Sequence, residues 1–128
     1  MRKLPLDANS GIASKKLRAA LVPDPRTITA ASDFTRFEDD VQGVICNRVG
    51  GVALTAPRQT RTPTIEPGYK VPIDNIGAGD VVVAVEGPDT LLSDGNKSHI
   101  AQNRAAALKL VSQAGDGSRT WLLTGNLS

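Results

Sequence analysis

Residues 71–86, VPIDNIGAGDVVVAVE, constrain this chain more than any other stretch. Two runs of strand-forming residues, 69–76 and 80–86, flank Gly77-Ala78-Gly79. Val and Ile are stiff at χ1 and suit a pleated surface, and Gly admits the positive φ of a tight reversal, so the pattern predicts a β-hairpin. In the second run Val81, Val83 and Val85 share one face, and Val82 and Ala84 the other. Both faces are apolar and both are expected to be covered, inside a sandwich, a barrel or an oligomer. Val81, Val83 and Val85 are accordingly the candidate subunit interface.

The rest of the chain repeats the theme in shorter pieces. Strands are expected at 27–30, 41–47, 52–56, 90–92, 105–112 and 119–124, with turn signals at Gly50-Gly51, Pro67-Gly68, Gly87-Pro88-Asp89 and Gly115-Asp116-Gly117. Residues 32–35 read as a turn-like link, 38–40 as a surface turn and 58–68 as a long exposed loop. With only Phe34, Phe37, Tyr69 and Trp121 as aromatics, Val, Ile, Leu and Ala must supply the core. The expected fold is all-β: a compact antiparallel sandwich or barrel of about eight short strands. Its 128 residues are enough for one domain with a real core.

The amino-terminal part has a different texture. Residues 1–25 carry Arg2, Lys3, Lys15, Lys16 and Arg18 against Asp7 and Asp24, whereas the remainder is close to neutral. Leu4, Leu6 and Ile12 are spaced apart and Pro5 blocks regular pairing; residues 13–22 hold a short helical pattern with Leu17 and Leu21 on one face. Two turns of helix are marginal alone, so this arm is expected to need a docking surface. The division is an extended basic arm at 1–25 and an all-β domain at 26–128. The arm lacks aromatics to stack bases, so nucleic acid is not the expected partner. The apolar runs are too short to cross a bilayer as helices, and no signal peptide is visible, so synthesis in a cytoplasm is expected.

Catalytic chemistry has little to draw on. Cys46 and His99 are the single cysteine and histidine, so no intrachain disulfide forms and nucleophile arrangements would have to be built around one of them. Gly77-Ala78-Gly79-Asp80 leads into a strand and opens no helix that would hold a phosphate. Asp94-Gly95-Asn96 lacks the further acidic ligands of a calcium loop, and Asp80 with Glu86 is not singled out as a carboxylate pair. No enzyme activity, cofactor or metal is expected.

Several segments fall in a familiar order: Asp40-Val41-Gln42-Gly43-Val44-Ile45, then Val52-Ala53-Leu54-Thr55-Ala56-Pro57, Ile65-Glu66-Pro67-Gly68, Ile76-Gly77-Ala78-Gly79-Asp80-Val81-Val82, and Thr120-Trp121-Leu122-Leu123-Thr124-Gly125-Asn126-Leu127. Over residues 27–128 this order resembles a β-domain family of tailed-bacteriophage virions, found in small capsid decoration (cement) proteins and at the C-termini of tail fibres. The resemblance implies a structural protein on the capsid surface, a homotrimer, with the major capsid protein as partner. The arm residues Arg2, Lys3, Leu4, Leu6, Ile12, Lys15, Lys16, Leu17, Arg18 and Leu21 would then meet the shell. The alternative it implies is a tail-fibre or receptor-binding tip, with loops 58–68 and 93–103 touching a host glycan or protein.

Overall fold

The computed structural model describes residues 24–36 and 40–128. They form ten strands: β1 (Arg26–Ile28), β2 (Ser32–Phe34), β3 (Val44–Cys46), β4 (Val52–Ala56), β5 (Lys70–Asn75), β6 (Val81–Val85), β7 (Thr90–Ser93), β8 (His99–Ile100), β9 (Arg104–Gln113) and β10 (Arg119–Gly125). A short 3-10 turn, Asp94–Asn96, precedes β8, and no α-helix occurs among the described residues.

The fold is all-β, but both sheets are mixed and not purely antiparallel. A six-stranded sheet runs β1-β3-β5-β9-β10-β7 and a four-stranded sheet runs β2-β4-β6-β8. The first six strands alternate between the sheets, and β1, β3 and β5 are mutually parallel, as are β2, β4 and β6. The chain therefore winds as three stacked coils, each with one strand per sheet. Residues 32–35, expected as a link, supply the second strand of the first coil. Antiparallel pairing appears only later, where β9 lies along β5, β10 returns along β9, and β8 closes onto β6.

The predicted hairpin at 71–86 is instead a corner. β5 and β6 lie in different sheets, and residues 76–80 carry the chain from one to the other. This corner stacks on the preceding one at 47–51, with Cys46 in register with Asn75 and Val52 with Val81. A Cβ on Gly77 would collide with the Arg48 backbone, so the two corners fit only with glycine there. Alternating apolar runs and a Gly-Ala-Gly turn suit a hairpin and a coil corner equally well. Long-range stacking decides between them. The true hairpin is β9–β10, around the expected turn at Gly115-Asp116-Gly117, where the Gly117 amide donates to the Ala114 carbonyl.

The core lies between the sheets and is aliphatic, as composition requires: Val44, Leu54, Val71, Ile73, Val81, Ile100, Leu108, Leu110, Trp121 and Leu123 are buried. Val81 and Val83 belong to it, at 0% and 2% exposure, and Val85 packs against it. Val81 and Val83 are covered by their own chain and leave no surface for a subunit interface, whereas Val85 stays partly exposed. The outer face of β6 is Val82 and Ala84.

Candidate functional site

The first coil breaks the hydrophobic pattern of the two above it. Arg26 is in register with Val44 and, through it, with Ile73, while Asp33 is in register with Leu54 and, through it, with Val83. The inward-pointing position on each sheet is thus charged at this end of the stack. The two side chains meet across the gap between the sheets, Arg26 Nη1 to Asp33 Oδ2 at 2.6 Å. Arg26 also donates from Nε and Nη2 to the two oxygens of Asp40, at 3.0 and 2.9 Å, and from Nη2 to the Phe34 carbonyl at 2.9 Å. Asp40, expected in a surface turn, is fully buried and further accepts the Arg36 amide at 2.7 Å.

Inward charges on edge strands discourage further strand pairing, and here they close the coil stack. The hydrogen bond to Asp40 outweighs burial and holds the Arg26 guanidinium firmly protonated. Burial alone would raise the Asp33 carboxyl, but the Arg26 hydrogen bond, the Phe34 amide and the charges of Arg26 and Arg36 hold it below the ordinary carboxylate range. This locked pole holds β1, the first strand among the described residues.

A second arginine organises the loop at 57–68. Arg119 opens β10 and is buried, at 1% exposure. Its Nε donates to Gln113 Oε1 (2.9 Å), Nη1 to the Pro57 carbonyl (3.2 Å) and Thr62 Oγ1 (2.7 Å), and Nη2 to the Thr62 carbonyl (2.7 Å). Its amide donates to Asp89 Oδ1 at 3.0 Å, and its guanidinium lies 5.9 Å from the Trp121 ring centre. No carboxylate among the described residues forms an ion pair with it, and burial pulls its pKa down, against the pull of the Asp89 charge. From outside, Arg61 stacks 4.2 Å over the Phe34 ring and chelates Glu86 at 2.8 and 3.2 Å, and Glu86 also accepts the Arg58 amide. The expected exposed loop is therefore a fixed one, with Ile65 sunk into the core. Beside it, Thr64 and residues 66–70 line an open groove of about 410 Å³ that includes Glu66, Tyr69 and Lys70.

The remaining sequence candidates separate. His99 is exposed, with Nδ1 3.4 Å from Asp80 Oδ2. Cys46 is buried and its thiol is pushed up to about 11 by burial, the form of an inert core residue. Glu86 is engaged by Arg61, away from Asp80. Among the described residues no group of three or more His, Cys, Asp or Glu converges as a metal site. The arm residues Arg2, Lys3, Leu4, Leu6, Ile12, Lys15, Lys16, Leu17, Arg18 and Leu21 lie outside the described residues.

Sequence reasoning missed Arg26, Asp33, Asp40 and Arg119. Each stands in a stretch that reads as an ordinary exposed turn or strand end. The one available signal was alternation: Arg26 and Asp33 fall at inward positions once the parallel register is known. No family model matches the chain, no curated protein matches it and no solved structure matches it.

Proposed function

We propose that this chain is a structural protein of a tailed-phage virion, a capsid decoration protein in which 26–128 is the body and 1–25 the attachment arm. The observation that carries this reading is the pole where arm meets body. A tether transmits load to its anchor strand, and that strand, β1, is fastened to the second sheet and to buried Asp40 by Arg26. The motif order supports it as well: the segments of the resemblance fall in turn on the entry to β3, on β4, on the turn before β5, on the corner entering β6, and on β10.

Magnitudes shape how the arm would work. Burying Leu4, Leu6, Ile12, Leu17 and Leu21 on a partner contributes roughly 1.5–3 kcal/mol each. Ordering one residue costs about 1–2 kcal/mol in backbone entropy. Five side chains cannot order twenty-five residues, so contact is confined to short segments around them. Arg2, Lys3, Lys15, Lys16 and Arg18 add salt-sensitive attraction to acidic groups of the major capsid protein. Many copies on a symmetric shell turn such modest contacts into retention by avidity.

The fixed loop at 57–68 and its adjacent groove favour one second reading, a receptor-binding tip, since a preorganised loop loses little entropy on binding. Co-sedimentation with emptied capsids, followed by imaging, separates the two. The full chain is expected to decorate shells, and residues 26–128 alone to lose that binding. Equal decoration by the truncated chain overturns the role of the arm; truncated protein that binds host cells and not shells establishes the receptor reading.

A further inference from the structure

We infer that the outer face of the six-stranded sheet is a contact between two copies of this chain, related by a two-fold axis that crosses the strands at Pro72. On β5, Lys70, Pro72 and Asp74 are all exposed and point to the same side. They pair across the ladder with Lys109, Ala107 and Ala105 of β9. Lys70 and Lys109 thus stand directly opposite each other, a like-charge pair that is unfavourable on a bare sheet. No ion pair is made by either lysine among the described residues. In the same row follow Leu122 of β10 and Leu92 of β7, the latter 47% exposed.

The centre of this face is small and flat, Pro72 beside Ala107, so a second sheet could approach closely. Identical sheets packed face to face keep their strands roughly aligned. Two in-plane two-fold axes then remain. An axis along the strands, between β5 and β9, would place Lys70 over the partner's Lys109, stacking four ammonium groups. An axis across the strands at Pro72 exchanges the row of residue 70 with that of residue 74. Lys70 then lies over the partner's Asp74, with Lys109 one strand away from the same carboxylate. The charges select the second axis: each Asp74 faces Lys70 of the other copy and offsets one of the two charges of its lysine pair, and the leucine row is covered at the edge.

The footprint is ~500 Å² per copy, from a strand spacing of about 4.8 Å and a rise of about 3.3 Å per residue. Stable complexes bury about 800 Å² per partner, so this contact is weak in dilute solution and suited to copies already held side by side. It does not depend on where the protein resides.

Sedimentation equilibrium of the full chain up to about 1 mM, at low and high salt, tests it. The wild type is expected to form dimers that loosen with salt. Lys70→Glu and Asp74→Lys are each expected to weaken dimerisation at least tenfold, and the double variant to restore it. All three are surface changes, and circular dichroism confirms their folding. A wild type that stays monomeric, one that forms trimers, or a double variant no better than the singles overturns the proposal.

Discussion

Gly79 rests on Gly51. A Cβ at Gly79 would lie 2.6 Å from the Gly51 Cα and 2.6 Å from the Val49 carbonyl oxygen, and the Gly79 amide donates to the Arg48 carbonyl at 3.2 Å. Asn75 secures the corner from inside: its Nδ2 donates to the carbonyls of Gly79 (2.9 Å) and Ile100 (2.7 Å), and its Oδ1 accepts the Gly77 amide. The glycines of the 77–79 turn are present because two coils touch through bare backbone.

That contact predicts a sharp contrast between glycines. Gly79→Ala must push the two corners apart and is expected to cost about 1–3 kcal/mol or more. Gly115→Ala, with open space around its added methyl, is expected to change stability by less than about 0.5 kcal/mol. Urea unfolding of both variants measures the difference; equal midpoints would show that the corners are not in contact.

The charged pole predicts both a mutational and a pH effect. Arg26→Met leaves Asp40 buried without its guanidinium partner and is expected to destabilise the domain by about 3–5 kcal/mol. Asp33 has a depressed folded pKa, so its contribution is present above the ordinary carboxylate value and is lost as pH falls through the folded one. Stability should therefore decline below about pH 4, and Asp33→Asn should flatten that decline. Unfolding midpoints followed from pH 6 to pH 2 provide the measurement, and an unchanged acid limb in Asp33→Asn would refute the assignment.

Arg119 predicts a local opening. Arg119→Met removes the donors that hold the carbonyls of Pro57 and Thr62, leaving them poorly satisfied at a cost of roughly 2–4 kcal/mol. Lysine cannot restore the fork of bonds from one point charge. In limited trypsin digestion, both variants are expected to be cut faster after Arg58 and Arg61 than the wild type. Cleavage sites identified by mass spectrometry at unchanged rates would mean that the loop is held by Ile65 and Arg61 alone.

Strand positions were largely legible because alternation of aliphatic residues is a local signal. The stretches around 52–56, 81–85, 105–112 and 119–124 read as strands and are strands. The partner of each strand was not legible. Residues 70–75 and 81–85 carry no mark that sends them to different sheets, since pairing depends on the corner at 47–51, distant in sequence. The same gap hid the functional candidates. Asp40 reads as the end of an acidic surface turn until Arg26 is placed over it, and Arg119 reads as a strand end until the loop at 57–62 closes around it.

Residue types and their order were enough to require an all-β body with a thin aliphatic core, and a basic segment of different character before it. These follow from side-chain size, χ1 stiffness and charge, which each residue carries wherever it lies. Long-range packing was needed to wind the first six strands in parallel coils, to place Val81 and Val83 in the core, and to end the first coil in an ion cluster. Those outcomes depend on which backbones stack and which charges lose water together, and both are properties of pairs of residues far apart in the chain.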